Sequence, residues 1–431
     1  MSKTKEEILK LIKDYYYETK KEISYETVPV SGKVFDEKEI QNIVEAALEG
    51  WWTEGKWCSL FVEKLKKFLG INNILLTNSG SSANLIALTT LTSYKLGNKQ
   101  IKPGDEIITV ASGFPTTVNP IIQIGAVPVF VDVDISTYNA NLEQIKEAIN
   151  SKTKAIILAH TLGNPFEVED IKKICKDNNL WLIEDNCDAL GSKYKGKLTG
   201  TFGDLATLSF YPAHHITTAE GGAVLTNNAQ LYKIARSFRD WGRDCWCATG
   251  QDNTCKKRFE WKLGDLPYGY DHKYTYSEIG YNLKMTDLQA AIGVAQMDKL
   301  NQFIQKRKEN FDYLYKKLKL FEDYFILPKA TENSEPSWFG FLLSVKDERI
   351  NRTKFLQYLT DNGIGTRLLF GGNLTKQPYF IDYNLKYRQI GNLENTDFVM
   401  NNSFWIGVYP GITVEMIDYI LEKFDEFFKR K

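Results

Sequence analysis

The sequence has no long apolar run and no excess of charge of either sign. None of its apolar runs approaches the roughly 18 residues that a membrane-spanning helix needs, and residues 1–20 are charged and helical in period, unlike a secretory signal. Lysine plus arginine and aspartate plus glutamate each number 54, so no basic field would attract nucleic acid or an acidic membrane. We therefore expect a cytoplasmic protein with a small-molecule partner, and neither a nucleic-acid nor a membrane partner.

Cysteine is also scarce, with six residues in a chain of 431. In a reducing compartment, so few cysteines are more typical of buried thiols, metal ligands or redox groups than of a disulfide framework. The chain is 43% hydrophobic and 13% aromatic, which is enough to bury at least one large core. We expect a folded chain with a large domain and a smaller one.

Seven short β-rich runs occur between residues 70 and 230. They are nearly continuous apolar stretches, as expected for strands whose two faces are both covered. Helical stretches at 141–150 and 168–178 separate several of them, and this alternation predicts a mostly parallel α/β sheet. The runs are 74–77, 106–111, 128–133, 155–160, 181–186, 205–210 and 223–227.

The rest of the chain predicts helices at both ends of this α/β region. Asp36 is an N-cap signal for a helix within the amino-terminal segment 1–50, and 287–320 is amphipathic, followed by an α+β region. A boundary near 300 divides a large domain, 51–300, from a small domain, 301–431. The least regular stretch, 240–280, is rich in Trp, Cys, Gly and Tyr, and predicts an insertion whose order depends on something that it binds.

Three polar elements fall at the expected carboxyl ends of strands, where open α/β folds bind their ligands. The first, at 79–82, contains Gly80 and Ser81 and precedes a helix. Small residues at a helix amino terminus suit a phosphate. A Ser/Gly turn that only caps the helix is the alternative.

The second and third elements carry ionisable side chains. Asp185 ends an apolar strand, where it could pair with the protonated ring nitrogen of a pyridoxal-type cofactor and keep that ring an electron sink; a solvated carboxylate is the alternative. His214 and His215 are adjacent in a chain with only four histidines. They suggest a catalytic site, with paired surface histidines as the alternative.

Together, the order and spacing of these elements resemble the DegT/DnrJ/EryC1/StrS sugar aminotransferase family of fold type I pyridoxal-phosphate enzymes. The likeness runs from about Val30 into the carboxyl-terminal region. It implies an α/β fold whose large domain has a mostly parallel seven-stranded sheet, with a smaller C-terminal α+β domain. The family segments SGT-A-L, EDAAQA, SFHPxKxITTGEGGA and GYNxRMxDxQAA correspond to 79–85, 184–189, 209–223 and 280–291.

The resemblance also implies roles for individual residues. Phe114 would stack on the cofactor ring, and Asp185 would pair with the pyridinium nitrogen. Asn282 would reach the phosphate of a neighbouring subunit, which implies a homodimer with shared active sites. The residues that would hold the phosphate are Gly80, Ser81 and Ser209.

Two residues depart from the family pattern. His214 stands where the family has the lysine that binds the cofactor covalently, so the cofactor must be held non-covalently, most naturally as pyridoxamine 5′-phosphate (PMP) rather than pyridoxal 5′-phosphate (PLP). Asp188 replaces the glutamine that usually meets the ring hydroxyl, which puts that contact in doubt. An imidazole suits proton removal at neutral pH. The histidine resembles that of the nucleotide-sugar 3-dehydratases within this family.

The cysteines distinguish two branches of these dehydratases. Cys187, Cys245, Cys247 and Cys255 are separated by 57, 1 and 7 residues, which resembles the branch that acts on CDP-sugars and carries an iron-sulfur cluster. Four thiolates can hold a 2Fe-2S cluster, or equally structural zinc. Cys58 and Cys175 lie outside this pattern.

The resemblance implies a PMP-dependent enzyme that removes the 3-hydroxyl of a CDP-4-keto-6-deoxyhexose, on a route to 3,6-dideoxy sugars of bacterial surface polysaccharides. Electrons would come from a separate NADH-dependent iron-sulfur flavin reductase, since the chain has no Gly-rich dinucleotide fingerprint after a strand. Arg367 and Lys376 are placed where the family receives the nucleotide-sugar, although surface salt bridges would explain them equally. The alternatives are a cluster-free GDP-4-keto-6-deoxymannose 3-dehydratase and a non-catalytic cofactor-binding protein.

Overall fold

The computed structural model describes residues 2–21 and 23–429. The helices are α1 Lys3–Thr19, α2 Glu37–Leu48, α3 Lys56–Leu69, α4 Gly80–Thr90, α5 Pro115–Gln123, α6 Leu142–Ala148, α7 Val168–Asp177, α8 Ala229–Arg239, α9 Asp287–Leu318, α10 Arg352–Asp361, α11 Pro378–Asp382, α12 Glu394–Asn402 and α13 Val414–Lys429. The strands are β1 Asn73–Thr77, β2 Glu106–Val110, β3 Val127–Val131, β4 Thr153–Ala159, β5 Trp181–Asp185, β6 Lys193–Tyr194, β7 Lys197–Leu198, β8 Leu205–Ser209, β9 Gly222–Thr226, β10 Phe325–Ile326, β11 Ser334–Glu335, β12 Gly340–Val345, β13 Arg388–Gln389 and β14 Ser403–Gly407.

The main sheet contains all seven strands predicted from the sequence. Its strand order is β1-β9-β8-β5-β4-β2-β3-β13, and β9 runs antiparallel to both of its neighbours while the other pairs are parallel. The eighth strand, β13, has two residues and comes from the carboxyl-terminal third of the chain. The prediction of a mostly parallel α/β sheet is confirmed, and the chain adds one short edge strand to it.

Both faces of this sheet are covered, which explains the continuous apolar runs. Neighbouring residues of a strand point to opposite faces: Ile107 packs with α4 and α8 in one core cluster, whereas Ile108 packs with α6 and α7 in another. Strands buried on both sides leave only their ends open to a ligand. The carboxyl ends of β1, β2, β4, β5 and β8 form one such edge.

The amino-terminal helices pack against α9. Asp36 caps α2 as predicted, in a reciprocal capping box with Glu39. The buried Glu39 carboxylate also accepts hydrogen bonds from Lys299 and Gln296 of α9, each at 2.6 Å. This contact ties the amino-terminal segment to the rest of the chain.

The carboxyl-terminal region is the predicted α+β layer. An antiparallel sheet of β10, β12 and β14 packs with α10 and α13 around an aromatic core. The predicted domain boundary near 300 falls inside α9, whose Ala290 and Ala291 belong to a core cluster on the main sheet and whose Leu314 and Leu318 belong to the aromatic core. The limits of the domains stay a prediction, and α9 is shared between the two layers.

The stretch after α8 is irregular, as predicted. Between Arg239 and Asp287, the described chain has one short 3-10 helix, His272–Tyr274, and isolated bridges. Ion pairs such as Arg258 with Asp271, at 2.6 Å, hold its turns.

A buried carboxylate, Glu184, fixes the turn after the short strand β7. It accepts backbone N–H donors from Gly200, Phe202 and Gly203 at 2.7 Å and lies 3.1 Å from His160 Nε2. Burial alone would raise the pKa of Glu184, but these partners, His160 first among them, outweigh burial and hold it below its usual range.

We predict that Glu184→Gln destabilises the fold at neutral pH by about 1–3 kcal/mol, because an amide cannot accept all these hydrogen bonds. A depressed pKa stabilises the fold above the pKa of the unfolded carboxyl, about 4.3, and this contribution is lost as the pH falls through the lower folded value. Urea unfolding between pH 7 and pH 3 should therefore show the difference shrinking only at the acid end. Glu63→Gln, at an exposed ion pair, is the control. A difference that is constant with pH would contradict the role of the charge.

Candidate active site

A cavity of about 480 Å³ opens at the carboxyl edge of the main sheet. It lies between the sheet and the carboxyl-terminal layer, from which Phe339, Phe370 and Trp405 contribute apolar walls. The residues predicted from the sequence that line it are Gly80, Ser81, Phe114, Asp185, Cys187, Asp188, Ser209, His214 and Arg367. The structure thus brings most of the predicted site residues to one place.

A larger cavity, of about 600 Å³, lies beside α3 and α8. Its principal charges are paired with each other: Arg239 donates to Glu54 at 2.7 Å, and Lys56 contacts Glu49 at 2.5 Å. None of the predicted site residues lines it. We therefore take the smaller cavity at the sheet edge as the candidate active site.

The amino terminus of α4 forms one wall of the site. Ser79 is the N-cap, and its side chain accepts from the Ser82 backbone N–H at 3.0 Å. A Cβ atom added to Gly80 would lie 2.5 Å from Ser209 Cβ, and one added to Gly222 would lie 2.4 Å from the Ser79 carbonyl oxygen. The three backbone segments pack so closely that only glycine fits, and they present a helix amino terminus that suits a phosphate.

Asp185 is held rigidly at the end of β5. Its Oδ2 accepts from Asn84 Nδ2 at 2.8 Å and from Thr117 Oγ1 at 2.7 Å, and its Oδ1 accepts from the Cys187 backbone N–H at 3.2 Å. Thr207 in turn donates to Asn84 Oδ1 at 2.7 Å. The carboxylate therefore has a fixed orientation in the cavity, which suits pairing with a ring nitrogen.

The two adjacent histidines have different surroundings. His214 lines the cavity, with its Nδ1 3.3 Å from Asp188 Oδ1 and its ring centroid 5.2 Å from that of Phe339. His215 is buried, and its Nε2 lies 2.8 Å from the carbonyl oxygen of Ser337. Burial lowers the pKa of His215 well below its usual range, so this residue is neutral. The paired-surface-histidine alternative does not describe either residue.

Asp188, which the resemblance matches to the family's glutamine, lines the cavity beside His214. Its Oδ1 lies within ion-pair distance of His214 Nδ1, but the two atoms do not form a hydrogen bond. The sequence put a contact between Asp188 and the ring hydroxyl of the cofactor in doubt. In the structure, His214 would compete with that hydroxyl for the Asp188 carboxylate.

Sequence reasoning missed several residues that shape the site. Asn84 and Thr117 orient Asp185, Phe339 packs on His214, and Arg307 of α9 donates to the His214 carbonyl oxygen at 3.2 Å. A signal existed for Asn84, an amide side chain between apolar residues in the first half of a largely buried helix. Phe339 and Arg307 carry no such signal, because they are distant in sequence from the residues they contact.

Asn282 does not line this cavity. Its side-chain oxygen accepts from Lys284 Nζ at 2.6 Å, and its backbone pairs with Asp240. The resemblance assigned Asn282 to the active site of a neighbouring subunit, and that role stays a prediction.

The two residues expected at the nucleotide-sugar differ in their positions. Arg367 lines the cavity, and within residues 2–21 and 23–429 no carboxylate lies within ion-pair distance of it. Lys376 does not line the cavity, and its Nζ lies 2.7 Å from Asp397 Oδ2. Lys376 therefore forms the surface salt bridge that was the alternative explanation for it. Arg367 is the better candidate for substrate contact.

The four spaced cysteines fall in two places. Cys245, Cys247 and Cys255 line one small cavity in the irregular stretch after α8, together with His272. Cys187 lies in the active-site cavity, where burial first and the charge of Asp185 next raise the pKa of its thiol well above its usual range. In the described part of the chain, no group of three or more His, Cys, Asp or Glu side chains has an arrangement that could hold a metal ion. The residues as placed do not fit a four-cysteine cluster.

The matching sequence family is consistent with this site. The profile of the DegT/DnrJ/EryC1/StrS aminotransferase family matches residues 33–425.

The chain belongs to this family. It is 58% identical over 402 residues to the lipopolysaccharide biosynthesis protein RfbH of Salmonella typhimurium, covering 93% of this chain and 92% of that protein. It is 51% identical over 427 residues to dTDP-4-dehydro-2,6-dideoxy-D-glucose 3-dehydratase of Saccharopolyspora spinosa, covering 98% of this chain and 92% of that one.

Solved structures of the family have the same fold. Escherichia coli GDP-4-keto-6-deoxy-D-mannose-3-dehydratase with bound hydrated PLP superimposes with a TM-score of 0.82 at 30% identity, over 92% of this chain and 98% of that one. The fold is therefore that of the fold type I PLP-dependent enzymes. Across residues 2–21 and 23–429, none of the helices combines the length and the apolar character needed to span a membrane.

Proposed function

We propose that this protein is a PMP-dependent dehydratase that removes the 3-hydroxyl of a nucleotide-linked 4-keto-6-deoxy sugar. The observation that carries this proposal is His214, which lines the cavity at the position of the family's cofactor-binding lysine. Relatives named as nucleotide-sugar 3-dehydratases support it, at 51% and 31% identity. A GDP-perosamine synthase of the family, at 30% identity, is more distant than the relative at 51%.

The residues of the cavity fit a pyridoxal-type cofactor. The close backbone packing at Gly80 and Ser209 leaves N–H groups of the α4 amino terminus for a phosphate. Asp185, fixed by two side-chain donors, is placed to keep a ring nitrogen protonated. When bound, the cofactor supplies a conjugated ring that accepts the electron pair released by proton removal.

His214 is then the base of the reaction. With the cofactor bound, its imidazole would remove a proton at the C4′ carbon. Asp188 Oδ1 lies 3.3 Å from His214 Nδ1, within ion-pair distance of a protonated imidazole, but Nδ1 makes no hydrogen bond within the described part of the chain. The apolar walls provided by Phe339 and Trp405 limit the access of water to the site.

For the substrate, we propose a CDP-4-keto-6-deoxyhexose. The unpaired Arg367 guanidinium at the cavity offers a contact for the diphosphate. The relatives' names include dTDP- and GDP-sugars, and CDP rests on the resemblance of the cysteine spacing to that of the branch that acts on CDP-sugars. Incubating the protein with PMP and a panel of CDP-, dTDP- and GDP-linked 4-keto sugars tests the nucleotide.

The active form is proposed to be a homodimer in which Asn282 completes the partner's phosphate site. The surface beside Asn282 exposes large apolar side chains, including Ile279 at 93% and Trp241 at 42%. Such a surface is typical of a protein interface.

We further propose that Cys187, Cys245, Cys247 and Cys255 would hold a 2Fe-2S cluster reduced by an NADH-dependent iron-sulfur flavin reductase, which requires Cys187 and the other three to come together from the separate cavities that they line in this structure. The spacing of the cysteines supports this proposal. The location of Cys187 in a different cavity from the other three favours the alternative, a dehydratase without a cluster. A non-catalytic cofactor-binding protein is a weaker alternative, because decay would not preserve Asp185, its two donors and a base in one cavity.

We predict that His214→Lys binds PLP covalently and loses most dehydration, because the base is replaced by an amine that captures the aldehyde. Borohydride should fix the cofactor to the variant but not to the wild type, as measured by the mass of the intact protein. Equal fixation in both would mean that another lysine forms the link, and the dehydratase proposal would fail.

Asp185→Asn should lower turnover by about 100-fold or more while the substrate KM changes little, since an amide cannot keep the ring nitrogen protonated. Steady-state kinetics with a 4-keto sugar measures both constants. The fixed hydrogen bonds from Asn84 and Thr117 should keep the variant folded. A change confined to KM would contradict the assigned role.

Replacing Cys245 or Cys247 with serine tests the cluster. If it exists, the anaerobically purified wild type should contain about two iron atoms per chain and absorb visible light, and the variants should contain almost none. The variants should still exchange the C4′ proton but form no 3-deoxy product with NADH and a reductase. Cys175→Ser, at a buried thiol outside the pattern, is the control. Product formation at the wild-type rate would establish the cluster-free alternative.

A further inference from the structure

A buried arginine lies behind the proposed catalytic histidine. Arg307, on α9, is 1% exposed, and its Nη1 donates to the carbonyl oxygens of Trp338 and Phe339, both at 3.3 Å. Its Nη2 donates to those of Ala213 and His214, at 3.5 and 3.2 Å. Within residues 2–21 and 23–429, no carboxylate lies within ion-pair distance of Arg307. A guanidinium placed so deeply without an acidic partner is costly, so a structural or functional reason is needed.

Arg307 holds both the backbone and the ring neighbour of His214. The two carbonyls that it binds at Ala213 and His214 belong to successive peptide groups, one on each side of the His214 Cα. The carbonyl at Phe339 belongs to the residue whose ring lies 5.2 Å from the imidazole. One guanidinium therefore fixes the two groups that determine where the imidazole lies.

The protonation of His215 follows from its contacts. Its Nε2 lies 2.8 Å from the Ser337 carbonyl oxygen, which can only accept, so Nε2 carries the proton. Burial first, and then the charge of Arg307, lower the pKa of His215. The ring is neutral, and its Nδ1 is therefore a hydrogen-bond acceptor, with no partner in the described residues.

A small cavity of about 10 Å³ is lined by Arg307, His214, His215 and Gln296, among others. Its volume is about the space that one water molecule needs. Arg307 Nε is a donor, His215 Nδ1 is an acceptor, and neither has a hydrogen-bond partner in the described residues; His214 Nδ1 is a third buried nitrogen of the lining residues without one. A buried donor and a buried acceptor beside one water-sized cavity are the arrangement that an internal water satisfies.

We propose that one water molecule bound in this cavity accepts from Arg307 Nε and donates to His215 Nδ1. Arg307, His215 and this water form a clamp, in which Arg307 is the positioning residue for His214. The water site stands on the cavity and the unpartnered atoms, whereas the effect of the clamp on the reaction rests on the proposed role of His214 as the base.

The water site is tested without any reaction. A high-resolution crystal structure of the full chain should show one ordered water between Arg307 and His215. Nitrogen NMR of protein labelled only in its four histidines should show His215 as the neutral form protonated at Nε2. Arg307→Ala should shift the His215 Nδ1 signal. A dry cavity, or a proton on His215 Nδ1, would overturn the proposal.

The effect on His214 is tested by proton exchange at the C4′ carbon of bound PMP. In the full-length Arg307→Ala protein, the exchange rate should fall by about 100-fold, because a displacement of about 1 Å at a reacting group has an effect of this size. The dissociation constant of PMP, read from its absorbance, should change by less than about threefold, since no residue that holds the cofactor is altered. Added guanidinium should restore at least about tenfold of the rate by occupying the space of the missing side chain.

Arg352→Ala is the matched control, since Arg352 also donates to backbone carbonyls, those of Met400 and Ser403 in the carboxyl-terminal layer. It should change the exchange rate little and show no rescue by guanidinium. An equal, unrescued loss in both variants would reduce Arg307 to a general stabilising role and overturn the clamp. If Arg307→Ala fails to fold, Arg307→Lys keeps the charge without the Nε donor, and should lose the water and most of the rate. If the wild type shows no exchange at all, the proposed function fails, while the crystal and NMR results still decide the water site.

Discussion

The active site depends on one constraint, which is that strands buried on both faces can meet a ligand only at their ends. The helices on the two sides of the main sheet close its faces, so the carboxyl edge of β1, β2, β4, β5 and β8 is the open part. Polar side chains at this edge are largely withdrawn from water and must satisfy each other. The chain from Thr207 through Asn84 to Asp185, and the set of donors around Glu184, are the result. These networks give the cavity fixed polar groups rather than mobile ones.

Much of the fold followed from the sequence because the determining signals are local. Continuous apolar runs of strand length, separated by helical periods, gave seven strands with nearly correct bounds. Asp185 and His214 were found for the same reason, since a strand end and a run of adjacent residues with an unusual substitution can be recognised in one segment. The short strand β13 was missed because two residues carry no periodic signal.

The rest of the site could not be predicted from the sequence, because its residues are defined by contacts between distant parts of the chain and not by a local sequence pattern. Thr117 lies 68 residues from Asp185, and Arg307 lies 93 from His214. Either residue, taken alone, looks like an ordinary polar position. For the cysteines, the spacing in sequence is easily recognised but does not predict their positions in space. Cys187 follows β5, whereas Cys245, Cys247 and Cys255 lie in a stretch without regular structure. A spacing in sequence gives no distance when one end of it is irregular.

The continuity of α9 has a mechanical consequence. Its 32 residues form a rod of about 48 Å, with one end packed under the main sheet and the other in the aromatic core. A hinge motion between the two layers would have to bend α9 or move one end of it out of its core. Either movement would displace Arg307 and the peptide groups around His214 that it binds. Substrate entry is therefore better served by small loop displacements at the rim, near Arg367 and Phe370, than by opening of the layers.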